Sequence, residues 1–323
     1  MKAMVRDTYG SPDVLELRDI DIPEIAEDEV LVRVHAAGVG RDVWHVMMGL
    51  PYPMRLAGYG LRAPKNPIIG SDVAGIVEDI GENVSRFQRG DEVFGIGKGS
   101  FAEYVCARED KLAPKPVNLT FEQAAVVAIM GSTALQALRD HGKVRQGQEV
   151  LIIGASGGVG TYAVQIAKAY GAQVTGVCST QKVEMVRSIG ADHVIDYTRE
   201  DFAEGDQRYD LILDIGGNSS LARLRRALAS RGTLVIVGGE TGGRWLGGTD
   251  RQIRALALSP FVGQKLGTFV NREDHEDLMV LGELIESGKL TPVIDRTYPL
   301  AEVPEAMRYL EEGHARGKVV ITV

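Results

Sequence analysis

Glycines are concentrated in one short stretch of this chain, Val150–Gly160, which reads VLIIGASGGVG. The branched apolar residues at its start predict a buried strand, and a helical pattern begins at Val159. A glycine turn between a strand and a helix lets backbone N–H groups approach a phosphate at the positive end of the helix. The spacing Ala155-x-Gly157-x-x-Gly160 fits the dinucleotide fingerprint, with alanine in the first position, and a purely structural turn is the alternative. The predicted pyrophosphate loop consists of Ala155, Ser156, Gly157, Gly158 and Val159.

The strand that follows this helix indicates which dinucleotide would bind. An NAD site usually places an acidic residue about 20 residues after the loop, where it binds the ribose hydroxyls. Here the strand ends in GVCSTQK, and no acid comes before Glu184. Two hydroxyls and an ammonium can hold a 2′-phosphate that a carboxylate would repel, so Ser179, Thr180 and Lys182 favour NADP(H). The alternative is that Ser179 or Thr180 only caps the next helix.

The elements around these residues change character along the chain. Before Leu112, short apolar runs are separated by Gly, Pro and Asp, which is typical of an antiparallel β domain. A helix with a Thr120–Gln123 capping-box spacing follows, and strands and helices then alternate, which predicts a parallel sheet covered on both faces. The predicted strands are Glu149–Ile153, Val174–Cys178, His193–Ile195, Asp210–Ile215, Thr233–Gly238, Lys265–Val270 and Val319–Val323. The predicted helices after the glycine loop are Val159–Tyr170, Gln181–Ile189, Ser219–Leu228 and His275–Ser287.

Composition limits the classes of partner. Among 323 residues, 36 Lys and Arg stand against 44 Asp and Glu, a net charge of −8. This balance argues against nucleic acid or an anionic membrane as the main partner, and Arg223–Arg226 and Arg251–Arg254 are interpreted as solvated helix faces. Two cysteines, Cys106 and Cys178, exclude a disulfide framework and a four-cysteine zinc lobe. No signal-peptide core or membrane span is visible, so we expect a cytoplasmic protein.

Together these segments resemble the medium-chain dehydrogenase/reductase superfamily over essentially the whole chain. The resemblance rests on HAAGVGRDVWH, NPIIGSDVAGIVEDIGENVSRFQRGDEVFG, FAEYV, GSTALQAL, VLIIGASGGVG and GKVVITV, and it looks most like the zinc-independent quinone oxidoreductase branch. It implies an α/β fold in which a GroES-like, mainly-β catalytic domain spans residues 1–121 and is completed by 290–323. It implies a Rossmann NADP(H)-binding domain, a doubly wound parallel sheet, at residues 122–289, with the active-site cleft between the two. It also implies a small-molecule quinone or carbonyl substrate and a homodimer.

Departures from the zinc-dependent alcohol dehydrogenases predict that no zinc is bound. Gly40 stands where those enzymes have a zinc cysteine, and Gly70-Ser71-Asp72 stands in place of their GHE. Catalytic zinc requires three protein ligands of the Cys, His or carboxylate type, and only Asp72 remains at the matching positions. The structural-zinc cysteines are missing as well.

Reduction of a carbonyl or activated alkene without a metal requires a hydrogen-bond or proton donor at the oxygen. The resemblance places His45 at a proton-relay position and Asp42 where the relay begins. It also places Tyr52 opposite the nicotinamide, with Tyr59 as a further candidate. Alternatively, His45 packs inside the domain and Tyr52 forms a pocket wall. The segment 49–67 has no clear periodicity, and we expect it to cover the substrate cleft.

The resemblance implies further cofactor contacts outside the glycine loop. Thr133 matches a residue beside the nicotinamide half, and Tyr197 matches one near the adenosine phosphate. Lys318 would contact the cofactor from the C-terminal strand. Gly238 and Gly239 end a predicted parallel strand, at the edge where such sheets bind ligands. For Tyr197 and Lys318 the alternative is an ordinary surface position.

The leading hypothesis is a zinc-independent, NADPH-dependent oxidoreductase that reduces quinones, enones or related carbonyl compounds by hydride transfer. A non-catalytic NADPH-binding sensor or structural protein is the alternative, because such a role needs only the glycine loop. An alcohol dehydrogenase is a third possibility, which Gly40 and Ser71 oppose.

Overall fold

A computed structural model describes residues 1–217, 219–238 and 243–323 of the chain. In this part of the chain the strands, β1 to β15 in order, are Lys2–Val5, Glu16–Asp19, Glu29–Val39, Asp72–Ile80, Glu92–Ile96, Tyr104–Arg108, Leu112–Pro114, Glu149–Ile153, Gln173–Cys178, His193–Asp196, Tyr209–Asp214, Leu228–Ile236, Lys265–Thr268, Ile294–Pro299 and Lys318–Thr322. The α-helices, α1 to α10, are Arg41–Met48, Phe121–Ala124, Ala128–Gln136, Gly158–Ala169, Val183–Ser188, Leu221–Ala227, Gly243–Leu246, Thr249–Leu258, His275–Glu286 and Val303–Glu311. None of the helices described is long and apolar enough to cross a membrane.

The chain separates into two units. The first consists of Met1–Ser132, Glu273–Ser287 and Pro292–Val323, and the second of Thr133–Arg272 and Gly288–Thr291. These bounds differ from the predicted domain boundaries at 121/122 and 289/290. The main difference is α9, which the sequence order had placed with the parallel sheet.

Helix α9 lies in the first unit because its apolar face packs there. The side-chain amide of Asn118 donates to the carbonyl of Ile285 at 3.0 Å. Leu281 is fully buried, and its methyl groups lie against the backbone of Gly131. These contacts with residues 118–131 decide the assignment of α9, whereas the strand-helix alternation alone suggested the second unit.

The first unit is built on a largely antiparallel sheet. Its strands lie in the order β14-β15-β3-β4-β5-β7, with β6 also pairing with β3. Alternate residues of β3, among them Val30, Val32 and Val34, point into one core, as the period of a strand requires. Met47 of α1 packs in the same core, which fixes this short helix beside the sheet.

The second unit is a six-stranded sheet in the order β10-β9-β8-β11-β12-β13, and every pairing is parallel. This is the order 3-2-1-4-5-6 of the doubly wound dinucleotide-binding fold. Strand β8 has the predicted bounds, and Val150, Leu151 and Ile152 are fully buried, as expected for a strand covered on both faces. The strand order reverses between β8 and β11, where such sheets bind ligands.

Candidate functional site

The glycine loop joins β8 to α4 at this reversal. Gly154, directly after β8, has φ +88°, a conformation that glycine adopts without strain. A Cβ on Gly160 would collide with the carbonyl oxygen of Gly154, so the first turn of α4 packs directly on the loop. Across the reversal, a Cβ on Gly154 would lie 3.0 Å from the backbone nitrogen of Gly216, which follows β11. We call the space at the carboxyl ends of β8 and β11, between Gly154–Gly160 and Gly216, the glycine crevice.

The glycine crevice has the features of a diphosphate site. Gly157 is the N-cap of α4, with an extended backbone and no capping side chain. A 12-residue helix therefore begins with first-turn N–H groups that no side chain caps, at the positive end of its dipole. A Cβ on Gly157 would meet only the Gly154 oxygen, at 3.5 Å, so this side of the loop is open. These residues fit the diphosphate of a dinucleotide.

The second unit also contains an arginine whose role the sequence analysis missed. Arg251 was interpreted as part of a solvated helix face, but its side chain is only 13% exposed. Its guanidinium lies 2.5 Å from the fully buried carboxylate of Asp214 and donates to the carbonyl of Gly238 at 2.9 Å. Burial raises the pKa of Asp214, and the charge of Arg251 opposes this rise. Arg251 therefore ties together the carboxyl ends of β11 and β12, where Gly238 was predicted to bind ligand.

The predicted 2′-phosphate residues follow β9, in a short helical turn at Thr180–Lys182. The hydroxyl of Thr180 donates to Asp196 at 2.5 Å, and the hydroxyl of Thr198 donates to the same carboxylate at 2.7 Å. The hydrogen bond from Thr180 lowers the pKa of Asp196, and Arg199 pairs with it at 3.5 Å. Strand β9 ends without an acid, but its neighbour β10 brings Asp196 to the same edge, opposite Cys178. The hydroxyl proton of Thr180 is bound by Asp196 in this structure, and the role of Thr180 as a phosphate ligand stays a prediction.

Other predicted cofactor residues take different positions. Ser179 is the N-cap residue of the turn that contains Lys182, and Tyr197 beside them is 60% exposed. Thr133 lies in α3. Gly239 lies outside the described residues, so its role stays a prediction.

Lys318 lies in a buried charge cluster of the first unit. Its side chain is 2% exposed, and its ammonium lies 3.4 Å from the carboxylate of Asp72. Asp72 also accepts a hydrogen bond from the backbone N–H of Ile129 at 2.8 Å. Burial raises the pKa of Asp72 to about 6, against the effect of Lys318. A buried ammonium needs a counter-charge, and Asp72 supplies it. The alternative of an ordinary surface position is therefore wrong for Lys318, and its contact with a cofactor stays a prediction.

Asp42 borders the same cluster. A Cβ on Gly40 would contact the Oδ1 atom of Asp42 and lie 3.1 Å from the Lys318 ammonium. Oδ1 of Asp42 is buried and has no hydrogen-bond partner within the described ranges. We call Asp42, Asp72 and Lys318 the ammonium cluster.

The other two predicted catalytic residues are close to Asp42 in the chain. The Nδ1 atom of His45 lies 3.0 Å from the carbonyl oxygen of Leu50, which identifies Nδ1 as the protonated nitrogen when the ring is neutral. The ring of Tyr52 lies under the guanidinium of Arg55, 5.0 Å from its centre. The hydrogen bond between His45 and Leu50 fits the packing alternative, and the catalytic role of His45 stays a prediction.

A cavity of about 450 Å³ lies beside α1 in the first unit. Its wall includes Ala57, Gly58 and Tyr59 from the segment expected to cover a substrate. This segment is held in place by Tyr9, whose hydroxyl proton is shared between the carbonyls of Tyr59, at 2.7 Å, and Gly60, at 2.8 Å. The residues that line the cavity are Arg6, Val43, Val46, Ala57, Gly58, Tyr59, Lys65, Asn66, Ile68, Ile69, Gly70, Ser71, Ile96, Gly97, Lys98, Gly99 and Glu273. His45 and Tyr52 are not among them.

Known proteins match the chain over nearly its full length. A model described as alcohol dehydrogenase GroES-like domain matches residues 26–117, and one described as zinc-binding dehydrogenase matches residues 189–321. The chain is 36% identical to the mitochondrial NAD(P)H oxidoreductase RTN4IP1 of Mus musculus, over 100% of this chain and 89% of that protein. It is 35% identical to the chloroplastic NADPH-dependent alkenal/one oxidoreductase of Arabidopsis thaliana, over 99% of this chain and 79% of that protein.

Solved structures agree with these matches. The quinone oxidoreductase from Coxiella burnetii has a TM-score of 0.88 and 31% identity, over 100% of this chain and 99% of that one. The Escherichia coli quinone oxidoreductase, solved in complex with NADPH, has a TM-score of 0.84 and 26% identity, with both chains fully covered. The chain belongs to the medium-chain dehydrogenase/reductase superfamily, in the quinone oxidoreductase branch. The predicted GroES-like and Rossmann domains and the predicted oxidoreductase class are thereby confirmed.

One of the two matching families is described as a zinc-binding dehydrogenase, so the residues of this medium-chain reductase are compared with what a zinc ion needs as ligands. Gly40 and Gly70 have no side-chain donor, and the carboxylate of Asp72 is bound to the ammonium of Lys318. A dication at this point would face that ammonium at close range. No group of three or more His, Cys, Asp and Glu side chains suited to a metal ion occurs in the described part of the chain. The residues of the ammonium cluster therefore do not fit zinc.

Proposed function

We propose that this reductase transfers hydride from NADPH to quinones, enones or related carbonyl compounds without zinc. The observation that carries the proposal is the glycine crevice, an open, backbone-lined phosphate site at the reversal of the strand order. The NADPH and alkenal named for the Arabidopsis relative, and the quinone named for the Coxiella structure, support the reaction class.

The chemistry that NADPH supplies when bound is a hydride from C4 of its nicotinamide. In this proposal Gly158 and Val159 bind the diphosphate through backbone N–H groups, because the N–H of Gly157 already donates to the carbonyl of Gly154 at 3.1 Å. Ser179 and Lys182 hold the 2′-phosphate, which a hydroxyl and an ammonium suit.

Hydride transfer to an enone leaves an enolate, whose oxygen needs a hydrogen-bond donor. Tyr59 is the candidate that lines the cavity, and burial raises the pKa of its phenol, so the donor proton stays in place at neutral pH. We propose Tyr59 in this role, ahead of His45, Tyr52 and Asp42. Substituting Tyr59→Phe should then lower kcat for enones more than Tyr52→Phe or His45→Asn does.

Zinc independence rests on the ammonium cluster. The carboxylate of Asp72, which a zinc site would need as a ligand, is already paired with the Lys318 ammonium. Protein purified without chelator is expected to contain less than about 0.1 zinc per chain and to keep its activity in EDTA. One tightly held zinc per chain would contradict this part of the proposal.

The proposed function is tested by measuring NADPH oxidation, through its absorbance, with a panel of quinones and enones. Reduction of NADP⁺ by simple alcohols is the comparison in the reverse direction. We expect turnover with the first set and none with the alcohols. Binding of NADPH without turnover of any compound would instead support the sensor or structural role. A Lys182→Glu variant should lower the preference for NADPH over NADH by about tenfold or more, and an unchanged preference would count against the phosphate assignment.

We also propose that the protein is a homodimer that pairs through β13. This strand is an outer strand of the parallel sheet, and two apolar side chains near it, Phe261 and Val270, are 85% and 89% exposed. Unpaired strand edges and exposed apolar residues are typical of such interfaces. Light scattering is expected to give twice the chain mass, and Phe261→Asp should halve it. Leu61→Asp, at an apolar residue 65% exposed in the other unit, is the control.

A further inference from the structure

The cavity of the first unit is lined by Arg6, whose guanidinium forms no ion pair with the part of the chain that the structure describes. Arg6, which follows β1, is 1% exposed, and its Nε and Nη1 atoms have no hydrogen-bond partner among the residues described. The ring of Tyr9 lies beside the guanidinium, with its centre 5.5 Å from the guanidinium carbon. Burial lowers the pKa of Arg6 to about 10, so the guanidinium is still charged at neutral pH.

A buried charge without a counter-ion is costly, and proteins normally pair such a group. The other charged residues of the cavity do not supply the pair. Lys65 and Lys98, at exposed positions of the wall, are also positive. Glu273 is the one acid in the lining, and its carboxylate already lies 2.5 Å from the ammonium of Lys111. The cavity therefore has an excess of positive charge and room for a negative group.

The other residues that line the cavity indicate what kind of molecule would carry this negative group. Several walls are apolar side chains, from Val43, Val46, Ile69 and Ile96. The volume, about 450 Å³, is in the range of small-molecule sites. A guanidinium is suited to a planar carboxylate, which can accept two N–H groups at once. The cavity thus matches a small, mainly apolar molecule with one carboxylate.

We propose that this cavity binds the carboxylate of the substrate with Arg6 as its counter-charge, so that the preferred substrates are enones or quinones that carry a carboxylate. The reacting group in this statement rests on the proposed reductase function. The carboxylate site itself rests on Arg6 and the charge of the cavity.

The first test compares 4-oxo-4-phenylbut-2-enoate with its methyl ester. The ester group also makes the alkene the better hydride acceptor, so a preference for the acid can come only from the protein. We expect the wild type to have a kcat/KM at least about tenfold higher for the acid, as a charge-assisted pair would give. Arg6→Met should remove this preference while the ester rate stays within about threefold. Arg18→Met, which removes an exposed arginine paired with Asp7 and Glu16, is the matched control and should behave as the wild type. Reduction of both compounds at equal efficiency by the wild type, or an unchanged preference in Arg6→Met, would overturn the proposal.

The second test does not depend on turnover. Calorimetry with the saturated acid 4-oxo-4-phenylbutanoate should show binding to the wild type and to Arg18→Met, and binding at least about tenfold weaker to Arg6→Met. Arg6→Gln is the substitute if Arg6→Met does not fold, as judged by circular dichroism. If the saturated acid binds in this pattern but no quinone or enone is reduced, the reductase function fails and the carboxylate site stands. If enones are reduced and the saturated acid does not bind, the carboxylate site is wrong.

Discussion

The glycine crevice of the second unit and the cavity of the first unit are built from different parts of the chain. The crevice is lined by backbone atoms, because Gly154, Gly160 and Gly216 have no side chains and their backbones pack closely together. The cavity is made of side chains, and Arg6 gives it a charge that the backbone cannot supply. A backbone site binds what many enzymes share, such as a diphosphate, whereas a side-chain site selects one class of substrate.

The largest effect is expected at the crevice. A Gly160→Val side chain would collide with the carbonyl oxygen of Gly154 and should lower the free energy of unfolding by about 3 kcal/mol or more, measured by urea denaturation. Gly157→Ala is the matched control, since its Cβ has ordinary contact distance to the same oxygen. Gly157→Ala should leave stability unchanged but weaken NADPH binding about tenfold, because the methyl group faces the open side of the loop. Equal stability losses in both variants would break the distinction.

In the ammonium cluster, loss of one charged side chain should lower the free energy of unfolding. Lys318→Met leaves Asp72 buried without its counter-charge, and we expect a loss of about 3 kcal/mol at pH 8. The loss should be smaller at pH 5.5. Burial already raises the folded-state pKa of Asp72 to about 6, above its unfolded value, and removing Lys318 raises this pKa further. In the variant, the folded state therefore keeps the extra proton on Asp72 to a higher pH than in the wild type. The free energy of unfolding of the variant then falls further as pH rises. A loss that does not depend on pH would contradict this account.

Each unit has one cysteine, so the opening of the two units can be followed separately through the labelling of its thiol. Burial raises the pKa of both Cys106 and Cys178 to about 11, so neither thiol should react quickly with a thiol reagent at pH 7.5. NADPH at ten times its dissociation constant should slow the labelling of Cys178 about tenfold, since binding stabilises the unit that holds the crevice. Cys106, followed by mass spectrometry in the same samples, should change less. Equal protection of both thiols would mean that the two units open together.

The smallest effect is expected at Thr180. Its hydroxyl is bound to Asp196, so Thr180→Val should cost about 1 kcal/mol of stability and change NADPH affinity by less than about threefold. Lys182→Gln, two residues away, should weaken NADPH binding by about tenfold while leaving NADH binding unchanged. A large loss of NADPH affinity in Thr180→Val would restore Thr180 as a phosphate ligand.

The same contrast explains how much the sequence could predict. The loop Gly154–Gly160 of the crevice was visible because its residues are contiguous and glycine spacing has a direct geometric meaning, and β8 was predicted with the bounds it has. Gly216, which follows β11, was not predicted. Arg6, Lys98 and Glu273 are far apart in the chain, and no local pattern brings them into one cavity. Arg251 was misinterpreted for a similar reason, since its neighbours in the chain are polar and its partner Asp214 is on another element. The pairing of Lys318 with Asp72 joins residues 246 positions apart, and only the sheet registers reveal it.

Strand β15 has a consequence for how the protein is made. These last residues lie inside the first sheet, between β14 and β3, with Val319 opposite Val39. In the chain β15 follows every strand of the parallel sheet, so a ribosome synthesises β8 to β13 before residues 36–39 of β3 gain their partner, while β6 can already pair with residues 29–33. The sheet of the first unit can therefore be completed only after the parallel sheet has been synthesised. Loss of a few C-terminal residues by early termination would leave Asp72 without its ammonium and the oldest part of the chain unfinished.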